Sequence, residues 1–230
     1  MTQLVLIPGL LCDCRLWCGQ IAALEHRAEI IVPDMTRQRT ITEMAAAVIN
    51  QVDGRFSLAG FSLGGQVALE IVRLAPERVE RLALLSTTHG GLTPAVTEAI
   101  SNAVAMLERG EFDRYLEEVY PFYFAPSHTD DPVLWSAFAA MAHAVGPRAG
   151  IRQMQALLAI DGPFSHLGRI SCPTVVIAGQ EDRRATPAVQ QLLAGEIPGC
   201  QLAMIEDSGH FSTMEQPAKV NKALSDWLPG

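Results

Sequence analysis

The residues with the clearest chemical potential lie in Gly60-Phe61-Ser62-Leu63-Gly64, a Gly-x-Ser-x-Gly pattern followed by Gly65. An apolar run at 56–59 precedes it, and helical periodicity begins at Leu63. A serine caught between strand and helix in so tight a turn is held in a strained backbone conformation. The flanking glycines let neighbouring elements approach where a Cβ would clash. The turn lifts the hydroxyl above the carboxyl edge of the sheet, where open α/β sheets bind ligands. The helix N-terminus beneath it favours a developing negative charge. A phosphate-cradling loop does not fit, because no Lys-Ser/Thr follows the glycines and no Gly-x-Gly-x-x-Gly is present.

A serine hydroxyl is a poor nucleophile without a base in reach. Of the six histidines, His210 is the best placed. It lies in the polar loop Glu206-Asp207-Ser208-Gly209-His210-Phe211, after the last predicted strand and on the same sheet edge as Ser62. His89 also follows a strand and is the runner-up. The base in turn needs a carboxylate to fix its tautomer and stabilise the imidazolium. Asp182, in Gly179-Gln180-Glu181-Asp182, follows a strand at that edge; Glu181 beside it stays open as an alternative. The competing role for Asp182 is a surface ion pair with Arg183 or Arg184, which contributes little. The order Ser62…Asp182…His210 is the one expected for this arrangement. Two backbone amides must then face the oxyanion of a tetrahedral intermediate. Leu63, next to the nucleophile, supplies one, and Leu10, in the turn Pro8-Gly9-Leu10-Leu11, the other.

Short apolar runs at 4–8, 29–32, 56–59, 81–86, 174–178 and 201–205 predict the strands that hold these loops. Helical patterns at 42–51, 63–75, 187–194 and 217–227 lie between them, the last two opening on a proline. The alternation predicts a mostly parallel sheet of about six strands with helices on both faces. From His89 to His166 the rhythm breaks into four helices, at about 93–109, 111–120, 132–145 and 147–160. The expected organisation is a core at 1–88 and 167–230, with a helical lid at 89–166 inserted after the fourth strand.

Composition narrows the partners. Apolar residues make up 49% of the 230 and charged residues 18%, enough for a sizeable core. A formal charge of −8, with no basic cluster beyond the pair Arg183 and Arg184, argues against nucleic acid. No apolar stretch is long enough to span a membrane, and the N-terminus lacks a basic region before its apolar run. A cytoplasmic enzyme acting on a small molecule is expected, and its oligomeric state is unknown. Cys12, Cys14, Cys18, Cys172 and Cys200 are an odd number, which speaks against a disulfide framework. The first three lack paired spacing and have only His26 nearby, so they read as free thiols and not as a metal site. No cofactor is expected.

Nearly the whole chain resembles the α/β-hydrolase superfamily, in its capped, serine esterase-like branch. Gly60 to Gly65 resembles the nucleophile elbow, and Gly209-His210 with Glu215-Gln216-Pro217 resembles the C-terminal histidine region. Pro8-Gly9-Leu10 with Trp17, Ala75-Pro76-Glu77-Arg78-Val79 and Gly179 to Asp182 add support. Pro8 stands where the family usually carries histidine, the segment after Pro33-Asp34 lacks the family's Arg-Gly-x-Gly turn, and Pro187 falls one residue late after the acid. The resemblance implies a lid over Ser62 and hydrolysis through an acyl-enzyme. Ser62 in place of aspartate disfavours dehalogenation.

Eight of the fourteen aromatic residues fall between Phe112 and Phe138. Most belong to the lid's own core, but Tyr120-Pro121-Phe122-Tyr123-Phe124 is too dense to bury every ring on one helix face. Phe122, Phe124 and Trp135 are the candidates to line a cleft for a small, largely apolar carboxylic ester. Arg148 and Arg152, one turn apart, could bind a carboxylate but read first as a solvated helix face. Thioesters, lactones and carbon–carbon bonds would use the same three residues. A weakly catalytic receptor of the same fold is the alternative from another functional class.

Overall fold

The structure, a computed structural model, describes residues 2–229. Its core elements run β1 (Thr2–Ile7), α1 (Cys18–Leu24), β2 (Ala28–Ile31), α2 (Ile41–Gln51), β3 (Phe56–Phe61), α3 (Leu63–Leu74) and β4 (Val79–Leu85). Four helices follow without a strand: α4 (Pro94–Glu108), α5 (Phe112–Tyr123), α6 (Pro132–Val145) and α7 (Pro147–Leu158). The core resumes with β5 (Thr174–Gly179), α8 (Pro187–Glu196), β6 (Gln201–Ile205), α9 (Ser212–Glu215) and α10 (Pro217–Trp227).

The six strands form one parallel sheet in the order β2-β1-β3-β4-β5-β6. Every residue of β3 and of β5 is buried, as expected for strands covered on both faces. The edge strand β6 begins with exposed residues. From β1 the chain passes to one side of the sheet and from β3 to the other. The loops after β1 and β3 therefore flank the switch point where such sheets bind ligands; they carry Leu10 and Ser62.

Most elements start where the sequence places them. Thr40 and Thr93 cap α2 and α4 by accepting from the amides of Glu43 and Val96, and Asp131 caps α6. One of the boundaries that differ bears on the site. The sequence reading ends α5 at about Tyr120, yet the helix continues through Pro121 to Tyr123. Proline there removes a single hydrogen bond from a final turn, and Phe124 N still donates to Tyr120 O at 3.1 Å. The extra turn changes which aromatic rings face the site.

Candidate active site

Ser62 is the hinge between β3 and α3. Its backbone sits at φ 52°, ψ −116°, a conformation costing about 1–3 kcal/mol outside glycine. Neighbours over-determine it: Ser62 N donates to Leu85 O at 2.8 Å, and Ser62 O accepts from Thr87 Oγ1 at 2.7 Å and Gly65 N at 2.9 Å. A Cβ on Gly64 would lie 2.3 Å from Ile7 O, and one on Gly60 would lie 2.3 Å from Gly64 O. Both glycines are thus required for α3 to start this close to β1 and β3.

His210 and Asp182, far from Ser62 in sequence, meet it at this edge. His210 Nε2 is 3.0 Å from Ser62 Oγ, and His210 Nδ1 donates to Asp182 Oδ2 at 2.8 Å. That donation leaves Nε2 free to accept the serine proton. Asp182 Oδ1 accepts from the amides of Arg184 and Ala185, both at 2.8 Å, so the carboxylate is held by two backbone amides and not by a guanidinium. Asp182 and His210 are buried, whereas Glu181 is exposed. His89 lies instead 4.0 Å from Glu196.

Among the described residues, the amides of Leu10 and Leu63 donate to no protein group. The peptide that follows Leu10 is pinned at both ends: Leu10 O accepts from Cys12 Sγ at 3.2 Å, and Leu11 N donates to Gln153 Oε1 at 2.9 Å. Burial pushes the Cys12 thiol well up, which keeps it a donor. Gln153, fully buried on α7, also donates to Met35 O at 3.1 Å, so α7 holds the loop that carries Leu10. Nothing local in the sequence marks this glutamine, since its partners lie more than a hundred residues away.

The loop around His210 rests on a buried carboxylate. Glu215 Oε1 accepts from Gly209 N at 2.9 Å, and Oε2 accepts from Ala125 N at 2.8 Å while facing His128 Nδ1 at 3.0 Å. His210 N donates to Tyr123 O, which ties the same loop to the end of α5. Glu215→Leu would leave two buried amides without an acceptor, so a loss of about 3 kcal/mol or more is expected. In thermal denaturation this corresponds to a melting temperature lower by roughly 6–12 °C. An unchanged melting temperature would rule out this bracing role.

A cavity of about 280 Å³ opens on Ser62 and His210. Its walls are mostly apolar, with Val96, Ile100, Val119, Phe122, Tyr123 and Leu157 prominent. A second cleft of about 300 Å³ meets the first at Ser62 and is bordered by Gln66, Thr88, His89 and Thr93. Of the three candidate cleft residues, Phe122 lines the first cavity, whereas Phe124 and Trp135 line neither. Phe124 is completely buried and stacks on Phe211 at 5.1 Å, while Trp135 meets Tyr120 edge-on at 5.1 Å. Phe124 packs at the junction of the helical insertion with the core and Trp135 within the insertion, and the extra turn of α5 leaves Tyr123 at the cavity. The missed wall had a signal: Tyr115, Val119 and Phe122 fall at i, i+4 and i+7 on one helix face. Arg152 donates twice to Thr36 O, and Arg148 is exposed.

The sequence matches the alpha/beta hydrolase family over residues 4–223. This chain belongs to the alpha/beta hydrolase family. Over 98% of its length the hydrolase is 27% identical to a protein of Pseudomonas savastanoi pv. phaseolicola (strain 1448A / Race 6) that bears the name "Putative carbamate hydrolase RutD", of which it covers 93%. It is 26% identical to a 2-hydroxy-6-oxononadienedioate/2-hydroxy-6-oxononatrienedioate hydrolase of Cupriavidus pinatubonensis (strain JMP 134 / LMG 1197), across 95% of this chain and 75% of that relative. Among solved structures, a thermophilic esterase from Thermogutta terrifontis superposes with a TM-score of 0.89 at 27% identity, covering 99% of the hydrolase and 89% of the esterase. These relatives are named for different substrates, so the chain is an enzyme of hydrolysis whose substrate they leave open. No helix among its described residues is long and apolar enough to cross a membrane.

Proposed function

We propose that the protein is a serine hydrolase that cleaves a small, largely apolar carboxylic ester through an acyl-enzyme. The observation that carries this reading is the hydrogen-bonded line Ser62–His210–Asp182 at the floor of an apolar cavity. In the reaction, His210 Nε2 takes the proton from Ser62 Oγ as the oxygen attacks the ester carbonyl. The amides of Leu63 and Leu10 receive the oxyanion, and Asp182 stabilises the imidazolium. The imidazolium returns its proton to the departing alcohol. Water, activated by the same imidazole, then releases the acid and regenerates Ser62. The chain's own groups perform every step.

In this reading the four inserted helices are a cap that shapes specificity, since α4, α5 and α7 supply most of the apolar wall. Carbamates, lactones, thioesters and carbon–carbon bonds present the same carbonyl to the same serine. The name borne by one relative makes the first of these a real competitor. The test is a panel of 4-nitrophenyl esters of increasing acyl length, run beside a fluorophosphonate probe. Labelling at Ser62 is expected, with rates that rise from acetate to a medium-chain acyl group and fall for long chains that outgrow the cavity. A folded protein that neither labels nor turns over any ester would favour the receptor reading.

A further inference from the structure

The site contains one charge for which the mechanism has no use. Arg184 borders both the apolar cavity and the neighbouring cleft, and Ser62 borders both as well. Its backbone amide holds Asp182, but its guanidinium has no carboxylate within 4.0 Å and no carbonyl acceptor among the described residues. Other arginines show how this chain ordinarily satisfies such a group. Arg15, Arg73, Arg109 and Arg114 pair with carboxylates, and Arg27, Arg81 and Arg152 donate to carbonyls. Arg39, Arg148, Arg169 and Arg183 also lack a side-chain partner, but water serves them because they are exposed. Arg184 alone combines the missing partner with partial burial.

Its surroundings suit an incoming anion. No aspartate or glutamate borders either cavity, although the chain as a whole carries −8. Tyr115 lines the same cavity as Arg184: burial pushes its hydroxyl well up, with Tyr123 adding to it, and Arg184 pulls weakly in the other direction. Arg184 lines the space that the substrate fills. A partly desolvated cation is stabilised by a ligand that brings the opposite charge and planar, two-point geometry.

Resting on the ester-hydrolase reading, we propose that Arg184 is a specificity-determining residue and that the substrate carries a carboxylate a few carbons from the scissile carbonyl. A phosphate dianion fits less well, because a single cation borders the site. The carboxylate can belong to the acyl half or to the alcohol half, since Arg184 reaches the cavities on both sides of Ser62.

The experiment compares matched esters in the wild type, Arg184→Gln and Arg184→Lys. For the acyl half the pair is mono-4-nitrophenyl adipate against its terminal carboxamide. For the alcohol half it is 4-carboxyphenyl butyrate against 4-carbamoylphenyl butyrate. Within each pair only the charge changes, so differences in intrinsic reactivity cancel when the ratio of kcat/KM is compared between enzymes. In at least one pair, the preference for the carboxylate is expected to fall about tenfold or more in Arg184→Gln. The change should lie mainly in KM, and Arg184→Lys should keep part of the preference. Ratios that stay within twofold of the wild type in both pairs overturn the proposal, whatever happens to absolute rates. If the wild type cleaves none of these esters, the ester-hydrolase reading has failed and binding decides the role of Arg184. Calorimetry with adipate is then run on Ser62→Ala and on the double variant Ser62→Ala/Arg184→Gln. Affinity weakened about tenfold in the double variant supports the carboxylate site, and equal affinity, or no binding to either, removes it.

Discussion

Ser62→Ala is expected to lower kcat on 4-nitrophenyl butyrate by about 10⁵- to 10⁶-fold, with little change in KM. In the proposed mechanism the Ser62 hydroxyl at the floor of the cavity forms the acyl-enzyme, and removing it leaves the Leu10 and Leu63 amides with nothing to stabilise but water attack. His210→Ala should cost about as much, because residues that act as one unit do not contribute separately. Neither change should unfold the protein. Alanine at 62 keeps every backbone bond that fixes the turn, from Leu85 O to Thr87 Oγ1. The measurement is single-turnover kinetics with circular-dichroism melting alongside. A Ser62→Ala protein that retained more than a hundredth of the wild-type rate would move the nucleophile elsewhere.

How much of this could be read from the sequence depends on how local each signal is. Ser62 is marked by its own neighbours, because the turn that exposes it needs glycine at 60 and 64. The six strands, too, announce themselves as short apolar runs, and the fold follows from their alternation with helices. His210 and Asp182 carry weaker marks, but each follows a strand, and a parallel sheet brings all such loops to one edge. Reasoning from topology places them together where no local pattern could. It fails where side chains settle a contact. Phe124 and Tyr123 are adjacent and both aromatic, and only the turn of α5 beyond Pro121 decides which faces the cavity. Gln153 is an unremarkable helical glutamine until Leu11 and Met35 arrive beside it. Arg184 reads as a surface charge for the same reason: its missing partner is a property of the folded site.

The second large effect is expected at Asp182, and the backbone decides its form. In Asp182→Asn one oxygen remains, and two places compete for it. Oδ1 now accepts from two amides, those of Arg184 and Ala185, and Oδ2 accepts only from His210 Nδ1. The oxygen of asparagine must stay with the pair of amides, because turning the NH₂ group toward them would set donor against donor twice. The NH₂ group therefore points at His210 and can be satisfied only if Nδ1 accepts. The imidazole then carries its proton on Nε2, where it faces Ser62 Oγ and cannot take the serine proton. A shape-preserving substitution thus reverses the tautomer of the base, and kcat should fall about 10⁴-fold with substrate binding nearly unchanged. Asp182→Ala avoids the reversal: no side chain dictates the tautomer, and a fraction of the imidazole keeps the productive form. The alanine variant is therefore expected to retain more activity than the asparagine variant, even though it deletes more atoms. Steady-state kinetics of the two variants side by side decide the matter. An asparagine variant as active as the wild type, or clearly more active than the alanine variant, would mean that Asp182 does not set the state of His210.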